Sequence, residues 1–390
     1  MLIHMGITNS RFQKNANVSL VTRTIWRSRG ISRVQIADEL GLYRSTVTNI
    51  VSTLIDAKVV HEVDIVHGKG GSGRRPVGLD LDGSFGCVVG IELQAGVHHV
   101  AIMDIAGTVL YTASGEFTKS DLTKVVVSVM KSLSTTLSRL HRPVLAIGIA
   151  APGVIDSTSG RILHSIPLDV FSFDMSEPLH EKFGVPVLLD NDANCFAWLE
   201  LGRHRKQRFE NFLCILGVRH AGGKGYDRAD RLGIGLGLAI DGRVYAGQHW
   251  SAGEMVTHSW SAHHEGQSGL ERSSDDQRQF IRDFFTSLIP VISTLDPQSC
   301  IVQGEPLSAN PDFPTLLKKE VPQFLPALER NGCAFVVEPF DPHAVAKGAA
   351  MAFLWKLYSM PEVSGQSSAS RILWDEVMQS AAQVGRISPS

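Results

Sequence analysis

The chain has 390 residues, 43% of them hydrophobic, and a formal net charge of −2. A chain of this length is too long to fold around one compact core, so we predict two or three domains. No apolar run approaches the roughly 20 residues that span a bilayer, and the N-terminus lacks the apolar core of a signal peptide. We therefore expect a cytoplasmic protein with no membrane partner. The five cysteines lack CxxC spacing and are expected to be reduced thiols of the core.

Residues 31–58 predict two short helices joined by a tight turn. Ser32 is a candidate N-cap of the first helix, and Gly41 is its expected end. The apolar positions of both helices recur at helical spacing and predict buried faces: Val34, Ile36, Ala37 and Leu40, then Val47, Ile50, Val51 and Leu54. An outward polar and basic set is suited to base edges and phosphates in a major groove: Arg33, Tyr43, Arg44, Ser45, Thr46, Thr48 and Asn49. The alternative is an ordinary helical hairpin.

The flanking segments favour a winged helix-turn-helix over that hairpin. Residues 17–29 predict a supporting helix, and residues 59–66 alternate like a strand that enters a glycine-rich segment. Lys69, Arg74 and Arg75 in this segment would meet phosphate or a narrow minor groove, and a solvated basic loop is the alternative. Residues 1–80 carry a net formal charge of +5 and the remainder −7, which is typical of a nucleic-acid module on an acidic body.

Beyond residue 82, strands alternate with helices in two successive halves. The predicted strands cover residues 86–91, 97–105, 107–114, 144–149, 185–189, 212–216, 233–240 and 242–245, and the predicted helices cover 122–140 and about 194–202. This order predicts an α/β fold: an N-terminal winged helix-turn-helix followed by a two-lobed, actin-like (ribonuclease H-like) body with a ligand cleft.

The expected domains follow from these elements. Residues 1–82 form the winged helix, 83–200 the first lobe and 201–362 the second lobe. Helices after residue 342 are candidates to complete the first lobe. Residues 363–390 form a Ser-rich segment with a C-terminal helix or tail, which packs on the first lobe or supports self-association.

Asn191 and Asp192 directly follow a predicted buried strand, at the strand end where open α/β sheets bind ligands. A carboxylate at this position accepts hydrogen bonds from vicinal hydroxyls or takes a proton as a general base. The alternative is that Asp190, Asp192 and Asn194 only cap the next helix.

The chain resembles the ROK family of repressors, open reading frames and kinases through segments that share the family's order. They are GISRVQIADELGLYRSTVTNIV with the GSGRRP wing, IGIAAPGVIDSTSGRILHS, VPVLLDNDANCFAWLELG, GIGLGLAIDGRVYAGQHWSAGE and LDPQSCIVQGE. The resemblance implies a sugar kinase fold, preceded by a winged helix in the repressor branch. It also implies a set of sugar contacts: Gly153, Asn191, Asp192, Glu254, His258 and Glu271. In a kinase of the family Asp192 would be the catalytic base. His258 follows Glu254 by four positions where the family usually has three.

The chain departs from the family's kinases at three nucleotide-binding elements. The Asp-x-Gly-Gly-Thr phosphate loop is Glu-Leu-Gln-Ala-Gly at residues 92–96, and Leu232 stands where a Thr is usual, after an apparent insertion at 219–231. The Gly-Gly pair on the adenosine side is replaced by residues 304–306, Gly-Glu-Pro. We therefore expect no ATP binding, no kinase activity and no cofactor.

The family's structural zinc site is also altered, because residues 262–269 contain no cysteine. His258, His263 and His264 are expected to be exposed loop histidines, and no metal is predicted.

Together these observations predict a sugar-responsive DNA-binding transcriptional regulator, a repressor of carbohydrate-utilisation genes. The expected partners are double-stranded operator DNA, a small sugar effector in the interlobe cleft, and further copies of the chain in a homodimer or homotetramer. Two alternatives stay open: an ATP-dependent sugar kinase with an appended DNA-binding domain, and a regulator that has lost its sugar response and is controlled by a protein partner.

Overall fold

A computed structural model describes residues 5–64, 77–220, 231–257, 274–305, 307–361 and 372–384. The helices are α1 Met5–Arg27, α2 Arg33–Leu40, α3 Arg44–Asp56, α4 Leu122–Ser132, α5 Ser134–Leu140, α6 Ser176–Phe183, α7 Asp192–Arg203, α8 Ser274–Leu295, α9 Phe313–Glu320, α10 Phe324–Arg330, α11 Ala344–Leu357 and α12 Trp374–Val384. The strands are β1 Val60–Asp64, β2 Val77–Leu81, β3 Cys87–Gln94, β4 Val97–Asp104, β5 Val109–Glu116, β6 Val144–Ala151, β7 Val154–Asp156, β8 Arg161–Ser165, β9 Val170–Asp174, β10 Val187–Asn191, β11 Phe212–His220, β12 Arg231–Ile240, β13 Arg243–Val244, β14 Ser299–Gly304 and β15 Ala334–Val337.

Helices α2 and α3 form at the predicted positions, and local chemistry defines both ends of α2. The Ser32 side chain accepts from the Gln35 amide, and the Gln35 side chain accepts from the Ser32 amide, which is a reciprocal capping box. Gly41 ends α2 in the left-handed region with φ 64°. On α3, the residues Val47, Val51 and Leu54 are fully buried, and β1 pairs antiparallel with β2 beside these helices.

The supporting helix and one predicted core position differ from expectation. Helix α1 begins well before the predicted residue 17. Val34 is 45% exposed instead of buried. The buried stripe of α2 follows Ile36, Ala37 and the partly buried Leu40, and Val34 lies about 110° around the helix from the centre of that stripe.

The body contains two five-stranded sheets with the same relative strand order. The first sheet has the order β10-β6-β3-β4-β5, and the second has β15-β14-β11-β12-β13. In each, the first strand in sequence is central, pairs antiparallel with the next strand and pairs parallel with a later one. This duplication is the mixed α/β, actin-like arrangement. A small antiparallel sheet, β7-β8-β9, follows β6.

The predicted helix over 122–140 is divided into α4 and α5. Leu133 between them has ψ −6°, which opens the helical path. Its hydrogen bonds to the neighbouring turns persist, from the Leu133 amide to the Val129 carbonyl and from the Leu137 amide to the Leu133 carbonyl. The division is therefore a bend within one helical segment.

Helix α11 lies directly on the first sheet, although it comes from the C-terminal part of the chain. A Cβ at Gly90 of β3 would lie 1.9 Å from the Ala346 carbonyl oxygen, and one at Gly148 of β6 would lie 2.1 Å from that of Ala349. These glycines admit the helix backbone to the sheet surface.

Helix α12 packs against α1, so the C-terminal segment lies beside the N-terminal one. Arg11 forms ion pairs with Asp375 at 2.7 Å and with Glu376 at 3.0 Å, and the buried Trp374 ring lies 5.7 Å from that of Tyr358. Within the described ranges, every helix is too short or too polar to span a bilayer.

Candidate functional site

Asn191 connects strand β10 to helix α7 and uses both ends of its side-chain amide. Its Oδ1 accepts from the amides of Ala193 at 2.9 Å and Asn194 at 3.2 Å, so Asn191 is the N-cap of α7. Its Nδ2 donates to the Gly153 carbonyl at 2.9 Å. Gly153 has φ 106°, and a Cβ there would lie 2.3 Å from the His164 carbonyl oxygen. Asn191 and Gly153 therefore fix the backbone at this edge of the sheet.

The capping alternative named Asp190, Asp192 and Asn194, but the N-cap of α7 is Asn191, and Asp190 has other partners. The buried Asp190 accepts from the Asn194 amide group at 2.9 Å and from the Trp198 indole at 2.9 Å. These bonds anchor the first two turns of α7 to β10.

Asp192 is the first residue of α7 and lies beside the second sheet. Its Oδ1 accepts from the Ala193 amide at 2.8 Å. A Cβ at Gly235 of β12 would lie 3.8 Å from the same oxygen, so β12 crosses the first turn of α7. Burial, with a smaller contribution from the Glu254 charge, raises the pKa of Asp192 to about 7. Asp192 is thus a carboxyl that exchanges a proton near neutral pH.

Glu254 extends from a loop that is bonded to β12. Gly253, with φ 92°, accepts from the Leu236 amide at 3.2 Å, and a Cβ at Gly253 would lie 1.9 Å from the Leu236 carbonyl oxygen. The Glu254 side chain is exposed, and its charge acts on the Asp192 carboxyl. The two predicted residues therefore share one cleft.

Glu92 belongs to the same cluster, although the sequence indicated only an altered phosphate loop there. It lies on β3 opposite Ala150 of β6, which in turn lies opposite Asp190 of β10. Its side chain is 2% exposed, and the Gln94 amide group donates to it at 2.6 Å. Burial, aided by the charges of Asp192 and Asp341, raises the pKa of Glu92 to about 8. The parallel pairing of β3, β6 and β10 brings three strand ends to one edge of the sheet. The sequence does not show this pairing, so it did not predict Glu92 in the cleft.

The glycines of the second phosphate segment serve close packing in this fold. A Cβ at Gly235 would lie 2.6 Å from the Ala193 Cβ, and one at Gly237 would lie 2.3 Å from the Ala193 carbonyl oxygen. Gly304, with φ 100°, lies against Gly217 of β11 in the same way. Close packing therefore accounts for Gly235, Gly237 and Gly304.

Several predicted residues lie outside the described part of the chain. They are Lys69, Arg74 and Arg75 of the predicted wing, His258 and Glu271 of the predicted sugar site, Pro306, and the histidines His263 and His264. Among the residues that the structure describes, no group of three or more His, Cys, Asp or Glu side chains is placed to hold a metal ion.

The N-terminal part of α3 presents the predicted polar set to solvent. Tyr43, the N-cap residue, is 84% exposed. Arg44, Ser45, Thr48 and Asn49 are also exposed, and Thr46 is half-buried. Arg33 is different, because its guanidinium donates to Glu62 of β1 at 2.8 Å. It contributes an ion pair between α2 and β1.

Known structures share this architecture. A ROK family transcriptional regulator described as a homolog of the E. coli MLC protein aligns over 94% of this chain and 100% of its own, with a TM-score of 0.70 and 19% identity. The ROK hexokinase of Thermus thermophilus aligns over 68% of this chain and 97% of its own, with a TM-score of 0.53 and 20% identity. Identities this low support likeness of fold alone. The class is that of mixed α/β, actin-like proteins of the sugar-kinase type.

Sequence comparison finds a match to one family within that class. Residues 88–269 match the ROK family, and the chain therefore contains a ROK family domain. It is 27% identical over 258 residues to the xylose repressor of Bacillus subtilis (strain 168), covering 64% of this chain and 62% of the relative. It is 26% identical over 252 residues to the DNA-binding transcriptional dual regulator NagC of Escherichia coli (strain K12), covering 64% and 58%. The chain thus spans about three fifths of the length of these relatives.

The buried Glu92 carboxyl makes a testable contribution to stability. Its pKa is raised from an ordinary 4.5 to about 8, so the folded protein holds a proton that the unfolded chain releases between these values. The contribution of Glu92 to the free energy of unfolding is therefore greatest below pH 4.5 and is lost as pH rises from 4.5 to about 8. We expect Glu92→Gln to raise Tm over the wild type at pH 9 by about 3 °C or more, and by much less at pH 5.

The measurement is thermal unfolding at both pH values. The control is Glu116→Gln, at an exposed position of β5, which should leave the pH dependence of Tm unchanged. An equal Tm difference at pH 5 and pH 9 for Glu92→Gln would contradict the raised pKa.

Proposed function

We propose that the chain is a sugar-responsive DNA-binding transcriptional regulator, a repressor of carbohydrate-utilisation genes, without kinase activity. The observation that carries the proposal is the joining of two parts in one chain. An exposed, polar helix α3 lies in a helix-turn-helix arrangement at one end, and a ROK family domain with Asp192 and Glu254 in its cleft follows it. The names of its relatives, a xylose repressor and NagC, support the same function.

The proposed domain division follows the same evidence. Residues 1–82 form a winged helix-turn-helix, in which α3 is the recognition helix and Lys69, Arg74 and Arg75 belong to the wing. Residues 83–200, completed by α11, form the first lobe, residues 201–362 supply the second, and residues 363–390 are the C-terminal segment. A homodimer would present two α3 helices to the half-sites of a two-fold operator.

In the proposed effector site, Asp192 and Glu254 accept hydrogen bonds from sugar hydroxyls. Asn191 and Gly153 hold the start of α7 in place through the bond from Asn191 Nδ2 to the Gly153 carbonyl. His258 and Glu271 are proposed as further contacts on the resemblance to the family. A sugar bound here favours one separation of the lobes and so changes the affinity for operator DNA.

The effector site is tested by thermal shift with D-xylose, N-acetylglucosamine and D-glucose. A sugar that binds the native state raises the Tm of the wild type. Replacing Asp192 by Asn removes a charged acceptor and should weaken binding about tenfold or more. Asp312→Asn, at an exposed position before α9, is the control and should respond like the wild type.

The two negative outcomes of this experiment have different meanings. A shift that survives Asp192→Asn would place the sugar elsewhere. If no sugar in the panel raises Tm, the sugar response fails, and a regulator controlled by a protein partner becomes the better explanation.

The DNA interface is tested with a duplex selected from a random pool by the full-length protein. Because Arg44 lies exposed at the start of α3, Arg44→Ala should weaken binding and reduce the slope of log affinity against log salt by about 1. Arg139→Ala, at an exposed position of α5, should change neither quantity. Unchanged affinity and slope in Arg44→Ala would exclude α3 as the phosphate-contacting helix.

The pKa of Asp192, about 7, favours the kinase alternative, because such a carboxyl is suited to general base catalysis. A coupled assay of ATP consumption with the same sugars separates the two functions. We expect no turnover above background. Turnover that Asp192→Asn abolishes would establish an enzyme.

A further inference from the structure

The connection between α7 and β11, residues 204–211, carries the chain from the first sheet to the second. Its C-terminal half is bonded to elements of the second sheet. The amides of Glu210 and Asn211 donate to the Gln298 side chain at 2.9 and 3.0 Å, and the Asp241 amide donates to the Asn211 side chain at 2.9 Å. This end of the connection therefore moves with the second lobe.

Arg205, near the other end of the connection, contacts the N-terminal helix α1. Its guanidinium lies 4.8 Å above the centre of the Trp26 ring and donates to the Trp26 carbonyl at 3.4 Å and to the Gly202 carbonyl at 2.9 Å. A further bond, at 3.5 Å, reaches the Ala106 carbonyl. The Trp26 indole donates to that same carbonyl at 3.0 Å. One side chain thus joins the end of α7, the turn between β4 and β5, and α1.

Trp26 lies one residue before the end of α1, directly ahead of the helix-turn-helix. The Gly30 amide donates to the Leu79 carbonyl at 2.9 Å, and the Leu79 amide donates to the Ile31 carbonyl at 3.0 Å. Helix α2 begins two residues after Ile31. Since this short path is bonded to β2, a displacement of Trp26 is passed to α2 and α3.

Helix α7 connects this contact to the cleft. Its first residue is Asp192, and its second, Ala193, lies against Gly235 and Gly237 of β12. A helix of 12 residues is about 18 Å long. The cleft is therefore at one end of a rigid element, and Arg205 is just beyond the other.

We infer that Arg205 is the positioning residue that couples lobe separation to the orientation of the DNA-reading helices, acting through Trp26. The inference rests on the proposed function. Without the guanidinium, Trp26 would keep its indole bond to the Ala106 carbonyl and its ring contacts with Trp355 and Tyr358. Helix α1 would therefore stay on the first lobe, but it would lose its direct link to the connection between α7 and β11. Sugar binding and DNA binding would each persist, and the effect of one on the other would be lost.

The test uses full-length wild type, Arg205→Ala, Arg205→Lys and Arg208→Ala. Arg208 lies on the same connection but is exposed, and its side chain forms an ion pair with Glu210 at 3.2 Å. The affinity for the selected duplex is measured with and without D-xylose and N-acetylglucosamine. In wild type and Arg208→Ala, the duplex affinities measured with and without sugar should differ by a ratio of about 5–150. The ratio should approach 1 in Arg205→Ala, with an unchanged sugar Kd.

Arg205→Lys distinguishes coupling from general destabilisation. Lys retains the charge but not the planar fork that stacks on Trp26 and bonds several carbonyls, so its ratio should be intermediate. A full ratio in Arg205→Ala overturns the inference. So does loss of sugar binding in that variant, because Arg205 would then act on the cleft itself.

A second measurement separates this inference from the proposed sugar response. If sugar leaves the duplex affinity of the wild type unchanged, the proposed sugar response fails. The contact between Arg205 and Trp26 is then tested by hydrogen exchange with DNA as the only ligand. Adding the selected duplex alone should slow exchange in residues 192–211 of the wild type and of Arg208→Ala, and not of Arg205→Ala. Equal slowing in Arg205→Ala, or none in the wild type, overturns the inference.

Discussion

The packing of α7 between helix α11, which lies on the first sheet, and strand β12 of the second sheet is the constraint on which the rest of the structure depends. A Cβ at Gly348 of α11 would lie 1.8 Å from the Cys195 carbonyl oxygen, and one at Gly237 of β12 would lie 2.3 Å from that of Ala193. On both faces of α7, the atoms that such a Cβ would meet are backbone atoms and not the ends of flexible side chains. Close-packed interiors transmit such contacts instead of absorbing them. A change in the separation of the sheets must therefore displace α7 or disrupt its packing.

The same geometry creates the acidic cleft, at a cost in stability. Asn191 caps α7 and leaves Asp192 at the cleft, while the β3-β6-β10 register brings Glu92 to the same edge. Burial raises the pKa of both carboxyls, to about 7 for Asp192 and about 8 for Glu92. Groups held in a less stable state are common at binding sites, where a ligand can supply the missing partners. Under the proposed function, the sugar hydroxyls are those partners.

Local patterns predicted much of this structure, and long-range packing accounts for what they missed. Ser32 and Gly41 bounded α2 in the sequence because caps act within a few residues, and Asp192 was placed correctly at a strand end. Glu92 was not recognised as part of the cleft, because its neighbours come from strands more than 50 residues away. The Arg205–Trp26 contact joins positions 179 residues apart, so no local pattern contains it. The prediction that Val34 is buried was wrong, because a short helix has more apolar positions than it buries.

The central claim is that sugar binding in the cleft and DNA binding by α2 and α3 depend on the same conformational equilibrium. The most direct test is to measure the effect of each ligand on the affinity for the other. The affinity of the full-length protein for its effector sugar is measured by calorimetry with and without saturating selected duplex, and the affinity for the duplex with and without saturating sugar. Thermodynamic reciprocity predicts the same factor in both titrations, about 5–150. Two affinities that are each unaffected by the other ligand would contradict the account.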